Sequence, residues 1–374
     1  MTLFGCALDW DALDAALPWV RAMRGCSQDP VFHAEGDVRI HTRLVCEALV
    51  GLPEWGALPE PDRELVLAAA LLHDVAKPLC TRVENGRITS RGHSQRGAIE
   101  SRRILWELGA DIVTREQVCA MVRYHQIPFY LIERPDALRT ALMISQQVRC
   151  DLLAMLAKAD ALGRECADRQ ELLTRIALFA EHCRELGCLD WAWPFPSAWS
   201  RFAYFRREDR DPHYLAHEDA RCEVILLCGL PGSGKDTWLR EQAPEVPVIS
   251  LDGIREELGV GAGEGSGEVV QMARERARGY LRAGQGFAWN ATNLTREMRG
   301  PLVDLFTDYK ARVRLVHVET PYRWHAERNA GRERAVPGDV IARMLSRWDV
   351  PAVTEAWKVE WWENDAALRA ALRT

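Results

Sequence analysis

The stretch CEVILLCGLPGSGKDT, residues 222–237, decides the fold of the C-terminal half of this chain. The apolar run Val224–Cys228 is typical of a buried strand, and a helical stretch starts near Asp236. Between them lies Gly229–Lys235, whose glycines let successive backbone N–H groups turn toward one point at a helix N-terminus. Strand, glycine-rich turn and helix in this order are the context of a Walker A loop. The stretch therefore predicts a phosphate-binding loop in an α/β fold.

The side chains of this loop indicate its cofactor. Lys235 has the position of the Walker A lysine, which reaches the β- and γ-phosphates. The next residue is normally Ser or Thr, whose hydroxyl contacts Mg²⁺, but here it is Asp236. An aspartate can hold Mg²⁺ directly or through water, and both modes stay open. We expect ATP or another nucleoside triphosphate (NTP) with Mg²⁺, bound by Gly229, Gly232, Ser233, Gly234, Lys235, Asp236 and Thr237.

The remainder of the C-terminal half continues the α/β pattern. Short apolar runs at Val246–Ser250, Phe287–Asn290 and Val313–Val318 alternate with helical stretches. This alternation is typical of βαβ units, which build a parallel sheet flanked by helices. We therefore predict an α/β P-loop fold for this half of the chain.

A candidate catalytic pair follows the second predicted strand, in Asp252-Gly-Ile-Arg255. The carboxyl ends of parallel strands line the ligand crevice of such sheets. An aspartate there can accept the proton of an attacking hydroxyl during phosphoryl transfer. Arg255, one helical turn later, can bind a phosphate beside that hydroxyl. The alternative is that Asp252 only caps the N-terminus of a helix.

A basic element lies further along the chain, in Glu327–Pro337 (ERNAGRERAVP). Arg328 and Arg332 are one helical turn apart in it, and so share a helix face. Such a pair suits a lid that neutralises charge on a phosphoryl group during its transfer. A solvated basic helix face is the alternative explanation.

These motifs resemble those of the phage-type 5′-hydroxyl polynucleotide kinases, over roughly Cys222–Trp348. The resemblance implies a P-loop kinase fold in which Lys235 binds the donor phosphates. It also implies that Asp252 acts as general base and that Arg255 holds the 3′-phosphate of the acceptor.

The resemblance extends to two further segments. It implies that Arg332, with Arg328, forms the lid. Asn290–Asn293 (NATN), which ends the third predicted strand, is also similar to a segment of that family, where Asp is more usual at the first position. We assign this segment only a general role on the acceptor side.

The N-terminal half shows helical patterning throughout, with polar residues at the ends of apolar stretches. His73 and Asp74 follow the apolar run Leu65–Leu72, and Asp160 follows a similar run. Such polar ends of buried helices are costly unless something satisfies them. Imidazole and carboxylate suit divalent transition metals such as Mn²⁺, Fe²⁺, Co²⁺, Ni²⁺, Cu²⁺ or Zn²⁺. The histidines that can converge are His33, His41, His73, His93 and His125. One such histidine alone is more often a surface or core residue, but the set predicts a metal site.

The order of these residues is similar to that of the HD phosphohydrolase superfamily, an all-helical fold. The resemblance implies one metal ion with the ligands His41, His73, Asp74 and Asp160, and a second ion or a substrate phosphate bound by His93 and His125. The metal would lower the pKa of a bound water and polarise the phosphoryl oxygens. Lys77, one turn after Asp74, would neutralise the phosphate as a catalytic residue, and His33 and Arg164 are further candidates to contact it.

One segment narrows this resemblance. His33–His41 (HAEGDVRIH) looks like the HD domain of CCA-adding tRNA enzymes. The nucleotidyltransferase part of those enzymes is absent from this sequence. We therefore expect no CCA addition.

The composition of the 374 residues fits two globular domains, with 48% hydrophobic and 27% charged residues. We expect an HD domain at 1–190, a connector rich in proline, aromatics and charge at 191–221, and a P-loop domain at 222–374. The net charge of −6 argues against a strongly basic nucleic-acid-binding protein but allows a local basic groove. The 11 cysteines form no Cys-x-x-Cys pair and are expected to be reduced. Without a signal peptide or a run of about 18 apolar residues, we expect a cytoplasmic protein and no membrane partner.

Together the two halves resemble the bacterial HD–polynucleotide kinase end-healing proteins. The resemblance implies that the HD domain hydrolyses a 2′,3′-cyclic phosphate, or a 2′- or 3′-phosphate, at one end of RNA or DNA. The kinase would phosphorylate the 5′-hydroxyl at the other end, and a ligase would act downstream.

Three alternatives stay open. The first is a kinase of a nucleoside or other small metabolite with an HD nucleotide phosphohydrolase, which a phosphate clamp at Arg255 disfavours. The second is a regulatory or nucleic-acid-binding HD domain, which the intact His73, Asp74 and Asp160 disfavour. The third is an ATP-driven switch without an acceptor, in which Asp252 would have no function.

Overall fold

A computed structural model describes residues 8–261, 265–331 and 335–364 of the chain. The chain divides into two compact units, Met1–Trp193 and Pro194–Thr374. The division lies inside residues 191–221, for which the sequence predicts a connector. No helix in the described ranges combines the length and the apolar character needed to pass through a lipid bilayer.

The first unit is a bundle of helices. Its helices are α1 Trp10–Ala16, α2 Pro18–Met23, α3 Val38–Val50, α4 Pro53–Gly56, α5 Glu60–Leu72, α6 Lys77–Cys80, α7 His93–Glu107, α8 Ile112–Tyr124, α9 Ala137–Ser145, α10 Cys150–Leu162 and α11 Arg169–Glu185. Two 3-10 turns, Ile127–Phe129 and Leu131–Glu133, follow α8. The core helix is α5, which is buried all round from Leu65 to Leu72 and packs against α3, α8 and α10. A helix that is apolar on every side requires such a central position.

The expectation of helices throughout this half is wrong at one place. Strands β1 Arg82–Glu84 and β2 Arg87–Thr89 form an antiparallel hairpin. The two residues between them, Asn85 and Gly86, both have positive φ values, of 53° and 75°. Asn-Gly is the preferred pair for such a two-residue turn, so the sequence did contain the signal for this hairpin.

The second unit contains a five-stranded parallel sheet in the order β4-β5-β3-β6-β7. Its elements are α12 Ala198–Arg206, β3 Cys222–Cys228, α13 Lys235–Gln242, β4 Val248–Ser250, α14 Leu251–Leu258, α15 Ser266–Arg282, β5 Phe287–Asn290, α16 Arg296–Asp308, β6 Ala311–Glu319, α17 Tyr322–Ala330, α18 Gly338–Leu345 and β7 Lys358–Glu363. The four predicted strands are present, and β7 is an additional strand at the sheet edge. The expected fold class is confirmed: an all-α part is followed by an α/β part with a parallel sheet flanked by helices.

The central strand β3 is buried on both faces of the sheet. Val224, Leu226 and Cys228 belong to a core shared with α15 and α16, whereas Ile225 and Leu227 belong to a second core with α13. Alternate residues of a strand point to opposite faces, and a strand covered on both faces is therefore apolar throughout. This burial fixes the carboxyl end of β3, from which the glycine-rich loop starts.

Candidate functional sites

The predicted metal ligands of the first unit lie at the ends or inner faces of five helices. His41 is in the first turn of α3, His73 and Asp74 follow α5, His93 begins α7, His125 follows α8, and Asp160 is in the last turn of α10. All six side chains are almost fully buried. The helices of the bundle thus bring together residues that are up to 119 positions apart in the chain.

The Nε2 atoms of the four imidazoles point toward one centre. His41 Nε2 lies 3.3 Å from His73 Nε2, and His93 Nε2 lies 3.4 Å from His125 Nε2. Nitrogens at these distances cannot all carry protons without repulsion, so the arrangement suits lone pairs directed at a cation. This convergence is the geometry of a metal centre.

The opposite ring nitrogens are held by hydrogen-bond acceptors. The Nδ1 atoms of His73, His93 and His125 donate to the carbonyl oxygens of Ala70, Ser90 and Val122, at 2.7, 2.8 and 2.8 Å. A carbonyl only accepts, so each Nδ1 carries the proton and each Nε2 offers its lone pair. Burial also lowers the pKa of His125 to about 3, which keeps this imidazole neutral as a ligand must be.

Asp74 occupies the middle of the cluster. Its Oδ2 is 3.2 Å from His73 Nε2, and its Oδ1 is 3.3 Å from His93 Nε2. Neither oxygen receives an aligned hydrogen bond within the described ranges, although Lys77 Nζ lies 2.7 Å from Oδ2. Burial opposes ionisation, but Lys77 and, as long as no ion displaces its second proton, His73 outweigh burial and hold the pKa of Asp74 well below its usual value. An ionised, buried and poorly satisfied carboxylate is the group that a cation would complete.

The ligand atoms form two sets that share Asp74. One set joins His41 and His73 to Asp74, and the other joins His93 and His125 to it, with all atoms of a set within 4.8 Å of one another. His41 Nε2 also lies 3.2 Å from Asp160 Oδ1. The donor set therefore fits one divalent ion or two ions bridged by a single carboxylate.

The three predicted phosphate-contacting residues have different surroundings. Lys77 is buried and its Nζ, besides contacting Asp74, donates to Gln28 Oε1 at 2.7 Å. Arg164 forms a bidentate pair with Asp160, at 2.9 and 2.8 Å, so two of its donors hold a candidate ligand. His33 is bonded through Nδ1 to Glu35 at 2.8 Å. Their contact with a substrate phosphate stays a prediction.

Glu35 is a site residue that the sequence analysis missed. Its Oε1 lies 2.8 Å from both His33 Nδ1 and His41 Nδ1, and its Oε2 accepts from the backbone N–H of Glu165 at 2.8 Å. The carboxylate thereby orients His41 from behind, in the way that second carboxylates orient metal-bound histidines. The sequence places Glu35 two residues after His33, which was the available signal for a contact between them. Both residues lie in a loop, where a spacing of two residues does not fix the directions of the side chains.

The glycine-rich loop of the second unit has the backbone geometry that only glycine tolerates. Gly229, Gly232 and Gly234 have φ values of 144°, 81° and 97°. A Cβ atom on Gly229 would lie 2.1 Å from the carbonyl oxygen of Val318, and one on Gly234 would lie 2.2 Å from Asn364 Nδ2. The loop is therefore held against β6 and the residue after β7, and α13 begins at its end.

Two polar side chains of the loop, those of Lys235 and Ser233, lie where a phosphate would contact them. Lys235 Nζ donates to the carbonyl oxygens of Gly229 and Leu230, at 3.0 and 2.9 Å, and so lies folded over the loop. The buried hydroxyl of Ser233 has no hydrogen-bond partner among the described residues. A lysine curled over a glycine turn and an unsatisfied hydroxyl inside it are features that a bound phosphate would satisfy.

Asp236, the residue that departs from the usual motif, contacts the third predicted strand. Asn290 Nδ2 donates to Asp236 Oδ1 at 2.6 Å, and Asn290 is the last residue of β5. In the sheet Asn290 is level with Leu227 on β3 and with Ser250 on β4. The carboxylate therefore lies at the carboxyl edge of the sheet, next to the loop.

Asp252 lies in the first turn of α14, but it is not the cap of this helix. The capping residue is Ser250, whose hydroxyl accepts from the backbone N–H of Gly253 at 3.2 Å. The side chain of Asp252 is 82% exposed and pairs with Arg255 Nη1 at 2.7 Å. The alternative of a helix cap is therefore excluded, and the two residues predicted to act together are in contact.

The predicted lid, 327–337, lies within the described residues except for 332–334. Arg328, in the last turn of α17, donates to Thr320 Oγ1 at 2.9 Å, and Thr320 Oγ1 donates to the carbonyl oxygen of Ser233 at 3.0 Å. Arg328 is thus linked to the glycine-rich loop through one residue. Arg332 lies outside the described residues, and its role stays a prediction.

Arg299 on α16 is a second residue that the sequence analysis missed. It is fully buried and donates to Glu355 and to the carbonyl oxygens of Asn293 and Asp349. Asn293 has a positive φ of 44° and donates to the carbonyl oxygen of Leu227 at 2.7 Å. This arginine therefore fixes the segment after β5 that carries the NATN sequence.

Comparison with known proteins finds matches in both halves of the chain. Residues 38–165 match the HD domain family, and residues 224–351 match an AAA domain family. Over 165 residues the chain is 30% identical to a Multifunctional CCA protein of Stenotrophomonas maltophilia strain R551-3 and 32% identical to that of Xanthomonas euvesicatoria pv. vesicatoria strain 85-10. The matched part is 42% of this chain and 37% of each relative, so the chain spans little more than a third of their length.

A solved structure also matches part of the chain. The sugar kinase from Janibacter sp. HTCC2649 is 17% identical, with a TM-score of 0.31, and the match covers 41% of this chain and 93% of that one. An HD domain implies a divalent metal, and a P-loop kinase domain implies a nucleotide with Mg²⁺. The chain therefore contains one segment that matches the HD domain family and one segment, including the glycine-rich loop, that matches an AAA domain family.

Proposed function

We propose that this chain heals broken ends of RNA or DNA with two activities. The HD domain, at residues 1–190, hydrolyses a 2′,3′-cyclic phosphate or a 2′- or 3′-phosphate. The P-loop domain, at residues 222–374, transfers the γ-phosphate of an NTP to a 5′-hydroxyl. The two products are the ends that a ligase joins.

In the HD domain, His41, His73, Asp74 and Asp160 would hold one divalent ion, and His93 and His125 with Asp74 would hold a second. Such ions supply Lewis-acid activation of water and of the phosphoryl group. Lys77 donates one ammonium proton to Gln28 and lies beside Asp74, and it would donate another proton to a phosphate oxygen. Glu35 and the carbonyl acceptors would hold the imidazoles in orientation.

In the P-loop domain, Lys235 would exchange its carbonyl partners in the loop for the β- and γ-phosphates. Asp252 would accept the proton of the attacking 5′-hydroxyl, while Arg255 would exchange Asp252 for the neighbouring phosphate of the acceptor strand. Arg328, with Arg332, would close over the transferring group. Transition-state charge on the phosphoryl oxygens makes such cations effective.

The observation that carries the proposal is the pair of the exposed Asp252 and the half-buried Arg255 at the sheet edge that bears the loop. A small metabolite kinase normally encloses its acceptor, whereas a general base with 82% of its side chain exposed leaves room for a polymer end. The neighbouring arginine provides the phosphate contact that a nucleic-acid end requires and that an unphosphorylated nucleoside lacks. The HD domain adds the hydrolysis that prepares the opposite end.

The direct test uses the full chain with labelled ATP, Mg²⁺ and short 5′-hydroxyl strands of RNA and of DNA. Labelling of either strand, together with release of a 3′-terminal phosphate in the presence of Mn²⁺ or Ni²⁺, supports the proposal. Labelling of a nucleoside or sugar but of neither strand would refute it. Comparing RNA with DNA strands also establishes the substrate preference.

A further inference from the structure

Three cysteines of the first unit converge away from the HD ligands. The Sγ atoms of Cys150, Cys183 and Cys188 all lie within 4.8 Å of one another, and all three side chains are fully buried. Buried thiols usually act as small apolar side chains and need no partner. Three thiols with their sulfur atoms this close together form a set of ligand atoms that could bind a metal ion.

The backbone holds the cluster in place through independent features. Cys150 is the first residue of α10, and Cys183 is in the last turn of α11. Gly187, with φ of 72°, reverses the chain after α11 so that the Cys188 N–H donates to the Cys183 carbonyl oxygen at 2.8 Å.

A further backbone bond ties the third cysteine to the first. Asp151 N–H donates to the Leu189 carbonyl oxygen at 3.0 Å, and these residues directly follow Cys150 and Cys188. The sulfurs are therefore positioned by main-chain geometry, and their convergence does not depend on the choice of side-chain rotamer alone.

One feature of the fold favours thiolate in the cluster. Cys150 lies at the N-terminus of a 13-residue helix, where the partial positive charge stabilises a thiolate. Thiolate is the form of cysteine that binds metal ions.

We propose that Cys150, Cys183 and Cys188 form a binding site for a thiophilic metal ion of the zinc class. Tetrahedral Zn–S bonds of about 2.3 Å place neighbouring sulfurs about 3.8 Å apart, which is within the observed spread. The ion replaces the thiol protons, which pass to solvent.

The ion would clamp the start of α10 to the end of α11. Asp160 lies ten residues further along α10, about 15 Å from Cys150 at the rise of an α-helix. The thiol site is therefore separate from the HD centre, and it does not depend on the proposed function. Its effect on that centre is to anchor the helix that carries Asp160.

The test is a Cd²⁺ titration of the reduced full chain, followed by the ultraviolet charge-transfer band that thiolate ligation produces and histidine or carboxylate ligation does not. We expect the band to saturate at one equivalent in the wild type and in His73→Ala. It should be lost in Cys183→Ala and in Cys188→Ala. Cys46→Ala, which removes a buried thiol of the same unit, is the matched control and should keep the band.

A second measurement needs no variant and so is independent of folding. Zinc released from the loaded wild type by a mercurial reagent, and detected with a zinc-sensitive dye, should amount to one equivalent. Absence of both the band and this release would overturn the proposal, as would a band that survives in both cluster variants. A disulfide within the cluster in protein kept under reductant would also overturn it.

Discussion

The amide of Asn290 donates to the carboxylate of Asp236 at 2.6 Å. In this pair the carboxylate is on the loop side and the uncharged group is on the strand, which is the opposite of the usual arrangement at a P-loop. In P-loop NTPases a hydroxyl after the lysine and an aspartate on a neighbouring strand hold Mg²⁺. Here the loop has the carboxylate and the strand end has the amide. One negative charge is present at the edge of the sheet in either arrangement.

We expect Asp236→Asn to weaken nucleotide binding in the presence of Mg²⁺ by about 10-fold or more, about 1.4 kcal/mol, because the carboxylate next to the ion is lost. Binding without Mg²⁺ should change little. Calorimetric titration of ATP with and without Mg²⁺ measures both quantities.

The double variant Asp236→Thr with Asn290→Asp is the matched control for this exchange. It restores a hydroxyl on the loop and a carboxylate on the strand, and should recover most of the Mg²⁺-dependent affinity. Wild-type affinity in Asp236→Asn would show that Asp236 has no role at the ion.

Removal of Lys235 and of Asp252 should separate binding from chemistry. Lys235→Ala should lose affinity for the nucleotide, whereas Asp252→Ala should bind ATP normally and transfer phosphate about 10²–10⁴-fold more slowly, since a general base is missing. Both variants should retain hydrolysis of 3′-terminal phosphates. Transfer assays with labelled ATP measure the rate of phosphate transfer in both variants. Normal phosphorylation by Asp252→Ala would disprove the general-base assignment.

Removal of His73 should have the converse effect. In His73→Ala a neutral imidazole ligand is lost, so the release of phosphate from a 3′-end should fall to background while kinase activity persists. Parallel phosphatase and kinase assays on one preparation test this. Loss of both activities would point to unfolding or to a shared site.

Glu35→Gln should lower the affinity of the HD centre for Mn²⁺ or Ni²⁺ by about 10–100-fold, because the carboxylate that orients His41 becomes a neutral amide. The kinase activity should not change. Metal titration by calorimetry measures the effect. Glu47→Gln on the exposed face of α3 is the control, and equal affinity in the two variants would exclude the orienting role.

Glu116 ties together the helices that present His93 and His125. It accepts from Arg102 on α7 at 2.7 and 2.9 Å and from Arg115 on α8 at 2.9 Å. Burial opposes its ionisation, but the two arginines outweigh burial and lower the pKa below 4.5. A lowered carboxyl pKa contributes stability that is present above 4.5 and is lost as the pH falls through the folded-state value.

We therefore expect Glu116→Gln to lower the free energy of unfolding at pH 7 by about 3–5 kcal/mol, because two buried guanidinium groups lose a carboxylate partner. The acid-induced loss of stability below pH 4.5 should be shallower in this variant than in the wild type. Urea unfolding from pH 3 to 7 measures both effects, and Glu107→Gln in an exposed pair with Arg103 should cost at most about 1 kcal/mol.

Much of this architecture was predictable because the relevant signals are local. The apolar runs before Gly229 and at Phe287 and Val313 are strands because a parallel sheet buries both faces. The ends of apolar stretches located His73 and Asp160 because a buried polar group needs a partner. β7 was missed because its sequence, KVEWWE, has the mixed polarity of a half-exposed edge strand.

Contacts between distant segments could not be predicted in this way. The pairing of Glu35 with His41, of Arg299 with Glu355 and of Asn290 with Asp236 depends on how loops and helix ends meet after folding. No spacing rule for one helix or strand encodes such contacts. Which nitrogen of an imidazole carries the proton likewise depends on the nearest carbonyl oxygen, and the folded structure determines which oxygen that is.

The Nδ1 bonds of His73, His93 and His125 each run to the carbonyl three residues earlier in the chain. The backbone therefore orients each ring without an ion, and the geometry of the cation site forms when the chain folds. Small zinc modules gain their fold from the ion, whereas chelators should strip this centre and leave the circular dichroism spectrum of the helices intact. Metal loading would then act as a reversible switch of activity in a protein that stays folded.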